Sequence, residues 1–393
     1  MLRSRVFGVV LLGSIVAEPA FSEVTVRSVD GRRLTAEAVA LAGKDALRLT
    51  GGEAVTLPLT DVVSVEFSAP RERASAAWDV VLVDGSRLVG ALAAADEDEV
   101  AIETTEFGVL RLPLDLVGSV SRGGAAIAAR SDDELDHVTR KSGDALSGTV
   151  TSVGAAGVRV DGDLGAVTLA LDDVERVVIA HVDESAPFQP ALAVALVAVG
   201  GSELRADLLG LDRTRVEVAT VFARSLSIAL EHVVALRLGA ARAEYLSDLT
   251  PTAVSQAPYF GGADDFLFPW QRDRSVTGAQ LVVGGRTFTK GLGLHARTRL
   301  TYALDGRYER LEAVVGVSDE VLALDAKGSI EFRFVVDGTP SWTSPVLRGG
   351  DPAVEMPALV LAGARELVVE VDFADGADSG DRAVIGDALL VKK

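Results

Sequence analysis

The chain has 393 residues, of which 48% are hydrophobic, and it contains no cysteine. This length predicts two or more domains, and the lack of cysteine excludes disulfides, zinc–thiolate sites and a thiol nucleophile. The formal net charge of −19 opposes binding to nucleic acid or to an anionic membrane, because phosphate binding depends on lysine and arginine.

Residues 1–22 have the pattern of an export signal. Arg3 and Arg5 precede the apolar run VFGVVLLGSIVA, and Ala20-Phe21-Ser22 supplies small residues of the kind that a signal peptidase reads. The apolar run is too short to span a membrane comfortably, although an uncleaved N-terminal anchor is the alternative. We therefore expect an exported mature chain that begins near Glu23 and has no membrane span.

The next part of the chain repeats a two-part pattern four times. Each copy opens on a turn signal, as in VRSVDGRRLTAEA and VVLVDGSRLVGAL, and closes on a run such as LPLTDVVSVEF. Both landmarks recur every 54 to 59 residues, which indicates an internal repeat. We place the copies at 23–70, 76–122, 134–181 and 191–239. The turn glycines are Gly31, Gly85, Gly143 and Gly201, and the anchor leucines that open the closing runs are Leu59, Leu114, Leu171 and Leu230.

Each copy is predicted to be β structure. Asp-Gly or an equivalent pair between alternating runs indicates a hairpin, and short Val/Leu/Ile runs follow it. The copies therefore predict small barrels or strongly bent sheets, and their opening pattern loosely resembles Sm-like and SH3-like barrels. The aromatic and basic residues that RNA binding would need are missing. The copies could be separate units or could share one continuous sheet.

The composition changes near residue 240. A proline-containing stretch with aromatic residues begins there, and all four tyrosines of the chain lie from Tyr245 onward. We therefore predict a linker at 240–256 and a separate domain at 257–393.

The segment Gly291-Leu-Gly293-Leu-His295-Ala296 fits the G-x-G-x-x-G/A pattern of a dinucleotide-binding loop, which requires a helix after it. The residues that follow, RTRLTYALDG, instead alternate apolar and polar side chains and predict a strand. Further alternating runs favour an antiparallel sandwich with hairpins at Asp305-Gly306 and Asp337-Gly338. The dinucleotide interpretation therefore fails, and the two glycines indicate positive φ or close backbone approach.

Three motifs in order resemble the NPCBM family of carbohydrate-binding modules: KGLGLHA from Lys290, VGVSDE from Val315 and VDG from Val336. The resemblance covers about 257–393 and implies a galactose-binding-like β-sandwich, or jelly roll, that binds carbohydrate. It also implies, from some related modules, a structural calcium ion. Where the family tends to show Asp-His-Ala-Asp-Trp, this chain has Asp381-Arg382-Ala383-Val384-Ile385.

The resemblance and the residue types together suggest a set of sugar-contacting residues. Sites of this kind combine apolar and aromatic surface with a few well-placed polar groups. Three candidates keep a structural alternative: a buried histidine bonded to the loop backbone, a tryptophan that anchors the incoming segment, and a tryptophan packed at the sandwich edge. These three are His295, Trp270 and Trp342, and the other candidates are Arg272, Arg297, Asp319, Glu320 and Asp381.

Closely spaced carboxylates crowd the final turn region. Asp375, Asp378 and Asp381 could supply oxygen ligands to calcium, which takes six to eight of them. A structural calcium ion is one hypothesis for this segment, and a solvated acidic turn is the other.

No catalytic motif accompanies these features. The sequence has no G-x-S-x-G elbow, H-E-x-x-H pair or P-loop, and the carboxylates of the repeats recur at turns, which favours turn formation over a catalytic pair. We therefore predict an exported, non-catalytic protein that binds a glycan or polysaccharide, with the repeats as scaffold. The alternative is a cell-envelope assembly protein that binds other envelope proteins and has a degenerate sugar site.

Overall fold

The computed structural model describes residues 23–51, 54–67, 78–122, 135–162, 165–180, 188–238, 242–260, 268–375 and 377–393. The predicted export signal at 1–22 lies outside the described residues. Within them the chain is all-β with short 3-10 helices, which confirms the predicted fold class. No helix in these ranges is both long enough and apolar enough to cross a membrane.

The first half of the described chain contains strands β1 to β21, and a similar order of elements occurs four times along it. Each time, an antiparallel hairpin and further strands lead to a three-residue 3-10 helix and a last strand. The helices begin at the four anchor leucines and are Leu59–Asp61, Leu114–Leu116, Leu171–Asp173 and Leu230–His232. The strands are β1 (Val24–Ser28), β2 (Arg33–Ala36), β3 (Ala38–Leu41), β4 (Ala46–Thr50), β5 (Val55–Pro58), β6 (Val62–Phe67), β7 (Trp78–Leu82), β8 (Arg87–Leu92), β9 (Glu99–Thr104), β10 (Gly108–Pro113), β11 (Val117–Arg122), β12 (Asp136–Arg140), β13 (Ala145–Gly154), β14 (Gly157–Gly162), β15 (Gly165–Leu169), β16 (Val174–Val178), β17 (Ala193–Ala198), β18 (Glu203–Leu211), β19 (Arg215–Ala219), β20 (Leu226–Ala229) and β21 (Val233–Arg237).

The turn glycines explain why the hairpins recur. All four adopt a left-handed conformation, with φ between 85° and 94°, which glycine enters without steric cost. Each donates its N–H to the carbonyl three residues earlier, as Gly31 does to Ser28 at 3.0 Å. Two residues before that glycine, the N–H of Val29 donates to the carbonyl of Asp61 in the 3-10 helix, at 2.8 Å. The two sequence landmarks of a copy are therefore joined by a backbone hydrogen bond.

The four segments share one continuous sheet of 18 strands. Strand β6 pairs antiparallel with β21, and β11 pairs antiparallel with β16. At the centre of these junctions Val65 lies opposite Leu236, and Val120 lies opposite Val177. Each of the four residues stands six positions after its anchor leucine. Because equivalent positions face each other, each junction has a local two-fold relation. The β6–β21 junction joins the first segment to the fourth, and the β11–β16 junction joins the second to the third.

Residues 242–393 form two facing sheets of seven and six strands, with a core between them. Among the described residues of this region, two 3-10 helices connect strands, Leu246–Asp248 and Asp319–Ala323. The first sheet contains β22 (Ala243–Tyr245), β24 (Gln271–Arg272), β27 (Gly291–His295), β29 (Tyr308–Val317), β33 (Val354–Glu355), β34 (Leu359–Val360) and β36 (Arg382–Lys392). The second contains β23 (Ala253–Gln256), β28 (Thr298–Ala303), β30 (Ser329–Val336), β31 (Thr339–Thr343), β32 (Leu347–Arg348) and β35 (Glu366–Phe373), and β25 (Leu281–Val283) pairs with β26 (Arg286–Phe288) in a separate hairpin.

The sandwich core follows the alternation that the sequence predicts. Ile330, Phe332 and Phe334 on β30 are fully buried, and so are Val369 and Val371 on β35. Their intervening neighbours point away from the core, as a period of two requires. The alternating pattern therefore identified the inner face of this sheet correctly.

Two predictions about connections are wrong. Residues 242–256 are not a linker, because β22 pairs with β36 and β23 pairs with β28, so that this segment adds a strand to each sheet. Asp305-Gly306 forms a turn with positive φ at both residues, but it leads from β28 in one sheet to β29 in the other. Only Asp337-Gly338, of these two turns, closes a hairpin, between β30 and β31.

The glycine-rich motif forms strand β27. A Cβ on Gly291 would lie 2.2 Å from the carbonyl oxygen of Ile385, and one on Gly293 would lie 2.2 Å from that of Arg274. Gly291 also has φ of 152°. These glycines allow close approach of neighbouring backbone within the first sheet. The next element after the motif is strand β28 and not a helix, so the structure agrees with rejection of the dinucleotide loop.

The repeats and the sandwich share a buried contact. Val29 and Val63 from the first segment pack with Tyr245 and residues of β36 in one apolar cluster. Beside it the guanidinium of Arg27, which is 7% exposed, donates to the carboxylate of Glu312 on β29 at 2.9 Å. Glu312 also accepts a hydrogen bond from Arg310 at 2.9 Å, so the carboxylate links the repeats to a charged side chain of the sandwich.

Candidate functional site

Strand β27 separates two groups of sequence-predicted residues. Arg272 pairs with Leu292 near its start, whereas His295 is its last residue and Arg297 and Asp381 lie close to that end. With a rise of about 3.3 Å per residue, the two ends of the segment 290–295 are about 16 Å apart. The structure therefore does not bring all the predicted sugar contacts together.

The side chain of His295 is buried and contacts neighbouring residues of the sandwich. Its side chain is 5% exposed, its Nδ1 lies 2.9 Å from the carbonyl oxygen of Ala296, and its ring stacks on Phe268 at 4.9 Å. Burial lowers the pKa of the imidazole below its ordinary value. The guanidinium of Arg382 lies 5.2 Å from the same Phe268 ring. The geometry favours the buried alternative for His295 over direct contact with a ligand.

Asp381 is fully buried beside this histidine. Its Oδ1 accepts the N–H of Ser329 at 2.7 Å, while its Oδ2 has no hydrogen-bond partner in the described structure. Burial, with a smaller contribution from the charge of Asp378, raises the pKa of Asp381 to about 7. A carboxyl group that is enclosed in this way is not available to a glycan at the surface.

The predicted calcium site is not assembled. Asp375 forms an ion pair with Arg348, and Asp378 accepts the N–H of Tyr259 at 2.9 Å. In the ranges that the structure describes, no group of three or more histidine, aspartate or glutamate residues is arranged to hold a metal ion. Asp375, Asp378 and Asp381 therefore serve separate contacts, and their spacing in sequence is better explained by turn formation.

Asp319 and Glu320 support the hairpin of β25 and β26. The two carboxylate oxygens of Asp319 accept the N–H groups of Gly284 and Gly285, each at 2.8 Å, and so bind the hairpin turn. Glu320 accepts the hydroxyl of Ser275 at 2.8 Å. Both acids are therefore committed to backbone and loop contacts within the domain.

The two candidate tryptophans are half-buried. Trp270 packs against the sandwich core, and its ring centre lies 5.4 Å from the guanidinium carbon of Arg272. Trp342 meets Phe334 edge to face at 5.8 Å. These contacts favour the anchoring alternative for Trp270 and the edge-packing alternative for Trp342.

An exposed aromatic surface lies near the His295 end of β27, and sequence reasoning identified only one of its members. It consists of Tyr259, Phe260, Phe373, Arg297 and Asp372, and we call it the aromatic surface. Tyr259 is 46% exposed and Phe260 is 74% exposed, and the Tyr259 ring meets those of Phe260 and Phe373 edge to face at 4.7 and 5.2 Å. Arg297 lies 5.2 Å from the Phe373 ring centre and donates to Asp372 at 2.7 Å. In the sequence, the adjacent aromatic pair of APYFGG could have indicated this surface.

A pocket of about 470 Å³ adjoins the aromatic surface and shares Arg297 and Asp372 with it. Its other lining residues include Arg299 and Glu370, whose charged groups are 3.6 Å apart. Burial opposes ionisation of Asp372, but the hydrogen bonds from Arg297 and from the backbone of Phe373, together with the charges of Arg297 and Arg333, outweigh it and hold the pKa of that carboxyl below its usual value. The pocket thus offers fixed donors and acceptors beside exposed rings, the combination that orients small polar ligands.

Comparison with known proteins identifies the C-terminal region. The model of the NPCBM/NEW2 domain matches residues 242–391. A protein of Renibacterium salmoninarum named "Putative endo-alpha-N-acetylgalactosaminidase" is 34% identical over 104 residues, which are 26% of this chain and 7% of that protein. "Alpha-1,3-galactosidase B" of Akkermansia muciniphila is 32% identical over 106 residues, 26% of this chain and 13% of that protein.

Among solved structures, the CBM51 module of Clostridium perfringens GH95 in complex with methyl-galactose is 25% identical. The match covers 38% of this chain and 99% of that module, with a TM-score of 0.33. The matched segments are 7% and 13% of the two named glycosidases, so this chain spans a small part of either of them.

Proposed function

Because residues 242–391 form an NPCBM/NEW2 domain, we propose that this protein is an exported, non-catalytic carbohydrate-binding protein. The aromatic surface takes the glycan, and the N-terminal repeats hold the domain in place. The observation that carries the proposal is the exposure of Tyr259 and Phe260 beside the Arg297–Asp372 pair. The proposed export depends on the signal pattern of residues 1–22.

The chemistry of a sugar suits this surface. The C–H face of a pyranose ring is apolar, so it can cover Phe260 and remove exposed aromatic area from water, which is favourable by about 25 cal/mol per Å². Arg297 supplies N–H donors and Asp372 supplies oxygen acceptors for hydroxyl groups, and hydrogen bonds to charged groups are stronger than neutral ones. Contiguous exposed apolar patches, rather than single exposed residues, mark interaction sites, and Tyr259, Phe260 and Phe373 are in mutual contact through Tyr259.

The absence of catalysis is supported by the carboxylates of the adjoining pocket. Glu370 and Asp372 are the acids that line it, and both are paired with arginines. A glycosidase needs one carboxyl group as acid and a second as base or nucleophile. Two acids that are each neutralised by an arginine are poorly suited to either role.

A second function is favoured by the closed environment of His295. Because Phe268 stacks on this imidazole, and because Arg382 stands where the resembled family tends to have histidine, the sugar site could be degenerate. The protein would then be a cell-envelope assembly protein, and the aromatic surface would bind an envelope protein.

A glycan-array screen of the full-length chain tests the proposal. We expect binding to a defined class of glycans, and we expect Phe260→Ser to reduce it at least tenfold. The matched control is Val360→Ser, because Val360 is equally exposed, at 74%, but lies on β34 of the seven-stranded sheet, whereas Phe260 follows β23 of the six-stranded sheet. No binding by folded wild-type protein would refute the sugar function and favour the assembly function. Equal losses in both variants would refute the placement of the site.

A further inference from the structure

A large cavity lies between the N-terminal repeats and the sandwich. Its volume is about 1210 Å³, and we call it the junction cleft. One wall comes from the second and fourth repeat segments through Arg87 and Arg205, and the other comes from the sandwich through Ser247, Arg272 and Lys290. This volume exceeds that of most small-molecule sites, and the cleft lies at the opposite end of β27 from the aromatic surface.

Several charges in the cleft already have partners. Arg237 is paired with Glu203 at 3.0 Å, and Lys290 is held between Asp248 at 2.6 Å and Asp273 at 2.8 Å. Burial disfavours the charge of Lys290, but these carboxylates outweigh it and raise the pKa of Lys290 above its ordinary value. These side chains form part of the cleft walls, and their charges are neutralised by one another.

Two arginines in the cleft form no ion pair within the described chain, although the charge of Arg205 interacts with that of Glu203. Arg205 is exposed on β18 and forms no ion pair there. The guanidinium of Arg272 donates to the hydroxyl of Thr250 at 3.3 Å and lies over the Trp270 ring, but it too forms no ion pair among the described residues. Although Asp84, Glu203 and Glu244 also line the cleft, the two guanidinium groups form no ion pair in the described chain. They would attract an anion.

A buried hydroxyl also lines the cleft. Ser247 is 2% exposed, and its Oγ has no hydrogen-bond partner among the residues described. A buried polar group without a partner costs about 1–3 kcal/mol. A ligand that carries hydroxyl groups would satisfy it and recover that cost on binding.

The remaining wall is apolar. Val81, Val83 and Val221 are half-buried and line the cleft. They provide surface for the C–H groups of a ligand, in addition to the arginines and the serine hydroxyl.

We propose that the junction cleft binds an acidic saccharide, whose sugar units carry carboxylate groups. The carboxylates pair with Arg205 and Arg272, because the guanidinium fork matches carboxylate geometry. A sugar hydroxyl bonds to Ser247, and the C–H faces pack on the valines. An acidic peptide would satisfy the arginines but offers fewer hydroxyl groups for the serine. This second site is independent of the aromatic surface.

Calorimetric titration of the full-length chain with trigalacturonate tests this site, with a neutral galactose trisaccharide as the second probe. We expect the wild type to bind trigalacturonate with an affinity that falls as salt rises from 20 to 200 mM. Any binding of the neutral sugar should occur at the aromatic surface and should not depend on Arg205 or Arg272. The double variant Arg205→Gln/Arg272→Gln should weaken binding at least tenfold, and each single variant should weaken it less. The control is Arg213→Gln, an exposed arginine outside the cleft.

Several results would overturn the proposal. These are no binding of trigalacturonate by wild type, an equal loss in Arg213→Gln, and equal affinity for hexaglutamate with the same dependence on the two arginines. The last result would assign the cleft to acidic peptides. Phe260→Ser should leave trigalacturonate binding unchanged, so failure at the aromatic surface and failure at the cleft are distinguishable. Circular dichroism confirms that each variant is folded.

Discussion

Asp381 provides a sharp test of the electrostatics of the sandwich. It is fully buried, one of its oxygens lacks a hydrogen-bond partner in the described structure, and its pKa is raised to about 7. Replacement by asparagine keeps the shape and the acceptor for Ser329 but removes the ionisation. We expect Asp381→Asn to stabilise the protein at alkaline pH relative to the wild type, and to do so less at acidic pH.

The sign follows from proton linkage. Between the unfolded pKa near 3.9 and the folded pKa near 7, the native state binds more protons, so the wild type loses stability as pH rises through this window. The full shift from 3.8 to about 7 corresponds to a ceiling of about 4 kcal/mol. Between pH 5.5 and the folded pKa of about 7 lie about 1.5 pH units, which correspond to a loss of about 2 kcal/mol in the free energy of unfolding. Since solvent screens the charge of the half-buried Asp378, we expect a change of about 1–2 kcal/mol.

Urea denaturation at pH 5.5 and pH 8.5 measures this change. The lower pH stays above the isoelectric point of about 4.7. The free energy of unfolding of Asp381→Asn minus that of the wild type should increase by about 1–2 kcal/mol between the two pH values. The matched control Asp325→Asn, at an exposed position, should show no such increase. If the difference for Asp381→Asn is the same at both pH values, the raised pKa is wrong.

Two further substitutions test the packing of β27 and the junction between the repeats and the sandwich. Gly293→Ala should lower the free energy of unfolding by about 3 kcal/mol, because its Cβ would lie 2.2 Å from a backbone carbonyl oxygen. The control is Gly162→Ala, whose Cβ would have its nearest atom at 3.9 Å. It should have little effect in the same thermal melt. Arg27→Ala should cost about 1–2 kcal/mol, because Glu312 loses its partner across the junction but keeps its ion pair with Arg310 at 2.9 Å. Limited proteolysis should then separate the repeats from the sandwich faster than in the wild type. Similar melts for both glycine variants, or a junction as resistant as in wild type, would contradict these contacts.

The sequence predicted features that depend on local pattern. The turn glycines, the anchor leucines and the alternating runs of β30 and β35 lie where the pattern placed them, because φ preferences and inward-facing side chains are local properties. The linker at 240–256 was wrong because β22 and β23 are short strands of 3 and 4 residues, too short to show a clear period.

Features that depend on contacts between distant residues could not be predicted from the sequence. The pairing of the first segment with the fourth requires β6 to meet β21, some 170 residues later. The aromatic surface joins Tyr259 and Phe260 to Phe373 through tertiary packing. The sequence offered a buried His295 as one alternative, but the stacking of Phe268 on its ring could not be predicted from the motif.

The central claim is that the aromatic surface binds a glycan. Its most direct test is calorimetric titration of the full-length chain with the strongest glycan from the array, for the wild type and for Tyr259→Ala. Tyr259 is 46% exposed, so its removal should spare the fold. The account predicts one site per chain and at least a tenfold loss of affinity in the variant. An unchanged affinity, or no heat of binding to any glycan in the wild type, would contradict it.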